Sequence, residues 1–182
     1  MNPFEILGID ARYDIDLRAV EKRHRELSVA LHPDKFASDG ASARRESIER
    51  ASQVNEAWRI IRDPIRRAEA LFAVAGIVVG ETNEPKSNQA FLMDMMEMRE
   101  ALADARDAKD LSKIRALAED AEAGESAAKQ AISSATASGV VQADKALLIQ
   151  TLPRLGELRF YRRMLEDVNA IEEAIAEQAG AS

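Results

Sequence analysis

Apolar residues recur at steps of three and four along almost the whole chain, and that periodicity restricts the fold more than any other feature of the sequence. It is the period of a helix with one buried face. Strand signals are missing: there are no alternating β-branched runs and no Asn-Gly hairpin turns. The expectation is an all-α protein. With 182 residues and 46% hydrophobic content, the chain is long and apolar enough for one core of ordinary size or two small ones.

Cap signals divide the first half into helices. Asn2 as cap, Pro3 in the first helical position and Gly8 as terminator give a short first helix. Asp16 caps a second, where Val20, Leu27 and Leu31 form an apolar stripe, Lys22, Arg23 and Arg25 populate other faces, and Pro33 stops the run. After the loop "PDKFASDGASA" comes a third helix with Ile48, Ala51, Val54 or Asn55, Trp58 and Ile61 at helical steps, so the two form an antiparallel hairpin. Asp63-Pro64 repeats the cap-plus-proline start, and the next helix runs to Gly76.

Residues 77–88, "IVVGETNEPKSN", hold a Gly, a Pro and several polar side chains, and the charge balance changes here. Residues 1–76 carry 13 Lys+Arg against 13 Asp+Glu; the remainder carries 12 against 19. The expected organisation is therefore a domain over 1–76, a linker over 77–88 and a second domain over 89–182. In the second, a helix from Gln89 to about Ala108 precedes one from Leu111 to about Ser138. That one has Ile114, Leu117, Ala121, Ala128, Ile132 and Ala135 on one stripe and Gly124 weakening its middle. A third, from about Gln142 to Gln178, carries Leu155, Leu158, Leu165, Val168 and Ile175, with Pro153 kinking or restarting it. Three long helices with short connections imply an antiparallel three-helix bundle.

Composition narrows the function. A net charge of -7 argues against a general nucleic-acid binder, which needs cations in excess to neutralise phosphates. The absence of cysteine removes thiolate ligands and thiol nucleophiles and fits a reducing, cytoplasmic setting. His24 and His32 are the only histidines, eight residues apart with no cysteine nearby, so neither a metal site nor another cofactor is expected; His24 reads as a surface or boundary residue. No phosphate-cradling Gly loop or nucleophile-base pair points to an enzyme. Arg44-Arg45 and Arg66-Arg67 read as solvated helix faces. The N-terminus lacks signal-peptide features, and no stretch approaches a membrane span.

One motif carries chemistry. His32-Pro33-Asp34, followed by Lys35-Phe36, sits between a helix with cations on its outer surface and a second amphipathic helix. Residues 1–76 thereby resemble the J-domain of DnaJ-type co-chaperones. The resemblance implies a docking site on the ATPase of a DnaK-type chaperone, formed by His32, Pro33, Asp34 and Lys35 with Lys22, Arg23 and Arg25. Pro33 restricts His32, Asp34 offers an anion to an arginine of the partner, and His32 has a donor and an acceptor. The chain departs from the pattern in two ways: Leu31 stands where an aromatic is common, and Val29-Ala30 where a cation is common. Weaker electrostatic steering is expected.

On the helix from Gln89, counting ~100° per residue places Phe91, Met95, Met98, Leu102 and Ala105 on one narrow core stripe. Leu92, Met93 and Met96 fall well away from it, beside Arg99 and Glu100, where a bundle helix should face water. Such a patch is either a binding site or a surface covered by the other domain. Phe160, about a quarter-turn off the main stripe of the last helix, is expected to complete it. The words "HPDKF", "NEAWRIIRDPIRRAEALF", "AFLMDMMEMREAL" and "LRFYRRML" together resemble the HscB family of J-proteins. There is no Gly/Phe-rich linker, zinc module or β-sheet client domain of a general DnaJ. The resemblance implies delivery of the iron-sulfur scaffold IscU to the chaperone HscA. It makes Leu92, Met93, Met96 and Phe160 apolar contacts, with Glu97, Arg99 and Glu100 as polar ones. The lack of an N-terminal cysteine module points to a bacterial-type member. The rival readings are a J-protein with another client and a helical adaptor whose His-Pro-Asp loop is idle.

Overall fold

The computed structural model describes residues 2–36, 40–79, 89–140 and 143–180. The fold is all-helical. Eight α-helices are described: α1 (Pro3–Leu7), α2 (Leu17–Ala30), α3 (Ala41–Arg62), α4 (Pro64–Val74), α5 (Gln89–Asp107), α6 (Leu111–Ala135), α7 (Lys145–Thr151) and α8 (Pro153–Gly180). A 3-10 turn, Pro33–Phe36, follows α2.

The caps explain where helices begin and end. Asn2 Oδ1 accepts the amides of Phe4 and Glu5, and Gly8 closes α1 in the left-handed region at φ 65°. Asp16 Oδ1 accepts from the Arg18 and Ala19 amides at 3.0 and 3.1 Å, satisfying donors that no preceding turn can reach. Asp63 does the same for α4 through Ile65 and Arg66, with Pro64 in the first helical position. Gly76, at φ 70°, ends that helix, and the Ile77 amide returns to the Phe72 carbonyl at 2.9 Å. One boundary differs from expectation, and at Pro153 one of the two expected alternatives is realised. The α-helix before the His-Pro-Asp loop ends at Ala30, and Pro33 opens a 3-10 turn rather than ending the helix itself. Pro153 restarts the chain as α8, because a proline lacks the amide that would continue α7.

The chain forms two compact units. The first gathers the chain up to Val79 and adds Ile132–Ile149. In it α1 packs on α2 and α3, and Phe4, Leu7, Val54, Ile61, Leu71 and Phe72 are buried. Each such side chain contributes roughly 1.5–3 kcal/mol by leaving water. Ile48, expected on the inner face of α3, is exposed; Ser47 takes the buried position. Arg67 is not solvated as expected: it is buried, its guanidinium 4.8 Å from the centre of the Tyr13 ring and donating to the Ile61 carbonyl at 2.9 Å. Arg66 instead pairs with Glu56 at 2.7 Å.

Residues 132–149 join this unit through hydrogen bonds that periodicity cannot reveal. The Tyr13 amide donates to Thr136 Oγ1 at 3.1 Å, and the Val140 amide donates to the Ala11 carbonyl at 2.7 Å. Ile77 is buried and the first unit runs to Val79, past the expected boundary at 76; of the expected linker, residues 80–88 lie outside the described residues. The second unit holds α5, most of α6 and α8, joined by Leu102 and Ala105, Ile114 and Ala121, and Met164 and Val168.

Candidate functional site

Two surfaces carry the predicted residues, one in each unit. In the first, α2 delivers the chain to Leu31, whose amide closes on the Leu27 carbonyl at 2.9 Å, and the backbone then turns at His32. The Lys35 amide donates to the His32 carbonyl at 3.0 Å, and Pro33 fixes the intervening φ. His32 Nδ1 lies 3.4 Å from both the Asp34 amide and Asp34 Oδ2. The two contacts hold the ring over the turn, and an imidazole offers a partner a hydrogen-bond donor as well as an acceptor. Both side chains are open to solvent, His32 at 60% and Asp34 at 87%. The loop therefore offers a carboxylate and an imidazole on a backbone already turned.

The cations of α2 divide between two flanks. At ~100° per residue Lys22, Arg25 and Val29 share one line leading toward the loop, whereas Arg23 points away from Arg25 by about 160°. Arg23 pairs with Glu26 at 3.7 Å and reaches the neighbourhood of Gly8; Arg25 pairs with Glu21 at 3.5 Å. Lys35 is exposed beside the loop. His24 faces α3, stacked on Trp58 with ring centres 5.5 Å apart and bonded through Nε2 to Asn55 Oδ1 at 2.9 Å. It ties the hairpin together from its partly buried boundary position.

In the second unit α5 turns Leu102 and Ala105 into the core and leaves Phe91, Met95 and Met98 half-buried along the same stripe. Leu92, Met93 and Met96 are 45%, 56% and 72% exposed, and Glu97, Arg99 and Glu100 are exposed with them. Three large apolar side chains open to water on one turn and a half of helix form a patch that stabilises the protein only when something covers it.

Phe160 does not belong to the exposed surface. It is 6% exposed, packed edge-on against Phe91 at 5.8 Å and Tyr161 at 5.4 Å, with the Arg99 guanidinium 5.5 Å from its ring centre. The quarter-turn offset that suggested exposure instead points Phe160 at Phe91 on α5. Phe160 thus lies beneath the patch and meets it through Arg99. Tyr161 continues the cluster, 5.9 Å from Phe91, and its ring lies so close to α6 that a Cβ on Gly124 would overlap it. Burial, with Glu157 and Asp94 nearby and only Arg154 opposing, holds the Tyr161 phenol above its usual range. Gly124 looked like a weakness in α6; it is the place where an aromatic ring fits.

Among the described residues, no three His, Asp or Glu side chains are grouped to hold a metal ion, and no helix is long and apolar enough to cross a membrane. Comparison with known proteins identifies the domains that carry the two surfaces. The DnaJ domain family matches residues 2–70, and the family described as the HSCB C-terminal oligomerisation domain matches residues 87–169. The co-chaperone protein HscB homologues of Shewanella sp. strain ANA-3 and Shewanella oneidensis are 43% identical over 106 residues, 58% of this chain. That match spans 61% of each relative's length. The structure of chaperone HscB from Vibrio cholerae superposes with a TM-score of 0.77 at 25% identity, covering 96% of this chain and 99% of that one. Human co-chaperone HscB shares the fold, with a TM-score of 0.80 at 19% identity over 94% of this chain and 82% of that one. A J-domain carrying an exposed His-Pro-Asp loop, followed by a helical domain of the HscB type, places the chain in the HscB family of J-domain co-chaperones.

Proposed function

We propose that the protein stimulates the ATPase of a specialised DnaK-type chaperone, HscA or its equivalent, and brings to it the iron-sulfur scaffold IscU for cluster assembly or transfer. The observation that carries this reading is the exposed Leu92, Met93 and Met96 patch on the helix opposite its core stripe. A J-domain alone explains chaperone stimulation; a second domain with an open apolar face supplies the cargo. His32, Pro33, Asp34 and Lys35 dock on the chaperone with Lys22 and Arg25 on the same line of α2, and Arg23 contributes from its other flank. Asp34 offers its carboxylate to a cation of the ATPase, and the turned backbone reduces the ordering required on binding. Leu92, Met93 and Met96 contact the scaffold, Glu97, Arg99 and Glu100 surround them, and Phe160 acts from beneath through Arg99 and Phe91. The protein itself makes and breaks no covalent bond, and it works in the cytoplasm with no resident cofactor, nucleic acid or membrane.

The test is single-turnover ATP hydrolysis by purified HscA with the full chain, IscU, or both. Stimulation should be greatest with both proteins present and should vanish with Asp34→Asn, while helicity and melting stay at wild-type values. Full stimulation by Asp34→Asn would refute the role given to the loop. Stimulation with no response to IscU would point to a J-protein with another client.

A further inference from the structure

The exposed line of α5 does not stop at Met96. At ~100° per residue Leu92, Met96, Arg99, Ala103 and Arg106 lie within about 40° of one direction, so the apolar patch continues into a stretch of different chemistry. There α5 and α8 enclose a groove of about 750 Å³ floored by Leu102, Met164, Ile171 and Ile175. Four cations line it, Arg99, Arg106, Lys109 and Arg163, against one acid, Asp167. This excess is local: the chain as a whole carries 32 acidic and 25 basic residues. The other flank of the same line has the opposite sign, since Met93, Glu97, Glu100 and Asp104 fall about 80–140° round the helix. A partner lying along α5 therefore meets acids on one edge and cations on the other.

We infer that this groove is the second half of the docking face and takes carboxylates from an acidic edge of the protein that covers Leu92, Met93 and Met96. The inference rests on the reading of α5 as the scaffold-binding helix. The internal partners of the cations leave them able to bind. Arg106 pairs with Asp107 at 2.8 Å, Arg163 lies 4.0 Å from Asp167, and Lys109 donates to Gln178 at 2.8 Å. One carboxylate cannot use all five donors of a guanidinium, and the Arg106 and Arg163 side chains are 56% and 72% exposed. Arg99, over Phe160, joins the patch to the groove. The two oppositely charged edges fix the direction in which a bound element lies, a choice the apolar patch alone leaves open.

The experiment is a calorimetric titration of the full chain with IscU at several salt concentrations. It compares wild type, Arg106→Glu/Arg163→Glu and the milder Arg106→Gln/Arg163→Gln. The reversal should weaken binding at least about tenfold at low salt and flatten the salt dependence, with the neutral variant between the two. Both should melt like wild type; if the reversal does not fold, the neutral variant decides. Wild-type binding together with unchanged affinity and salt dependence in the variants would overturn the groove and leave the α5 reading standing. Absence of wild-type binding would overturn that reading, and the groove with it.

Discussion

Single residues decide whether each surface is chemistry or packing. Asp34 makes no contact that the hairpin needs, so its replacement should change chaperone stimulation and nothing else. Phe160 is the reverse case. Because it is buried against Phe91 and Tyr161, Phe160→Ala should destabilise the second unit by about 3–5 kcal/mol, read as a lowered melting transition, besides any loss of scaffold binding. A wild-type melting curve for that variant would contradict the burial. The sequence showed the offset of Phe160 from the main stripe but not its direction of aim, which depends on how α5 and α8 pack. Arg67 was illegible for the same reason. Nothing local marks an arginine that will stack on Tyr13, 54 positions earlier in the chain.

At the scale of the element, helix identity and capping were readable because they are local: Asn2, Asp16 and Asp63 each satisfy amides within three residues of themselves. The two faces of α5 were readable from period alone, and the burial of Leu102 and Ala105 against the exposure of Leu92, Met93 and Met96 follows that count. The seat of Tyr161 on Gly124 was not, since a glycine inside a helix reads first as a propensity defect. Gly124→Ala gains about 1 kcal/mol of propensity but drives a methyl group into the Tyr161 ring. The ring shift should loosen Phe91 and the first turns of α5. Faster amide exchange at residues 91–98 than in wild type, reversed by adding Tyr161→Leu, is the expected result. Unchanged exchange would show that α5 does not depend on this contact.

For the whole molecule, the division of the chain differs most from its linear reading. Charge and composition change near residue 77, yet the compact N-terminal unit includes residues 132–149, which return to it through Thr136 and Val140. A bundle helix gives no sign in its own sequence that its end will serve another unit. A fragment of residues 1–79 should therefore melt below the same unit in the full chain, having lost two hydrogen bonds worth about 1 kcal/mol each, one to the Thr136 hydroxyl and one from the Val140 amide, together with the buried Val140 and Leu148 of that unit. Thr136→Val in the full chain should reproduce part of that loss in the N-terminal transition.

If the exposed face of α5 carries the scaffold, the fold beneath it stays independent of that contact. Calorimetric titration with IscU and thermal melting of one variant, Leu92→Ala/Met93→Ala/Met96→Ala, test this most directly. Apolar anchors at an interface can each contribute more than ~1 kcal/mol, so affinity should fall at least about tenfold while the melting temperature stays close to wild type. Wild-type affinity with a large drop in melting temperature would contradict the account, showing that these three side chains hold the protein together rather than its client.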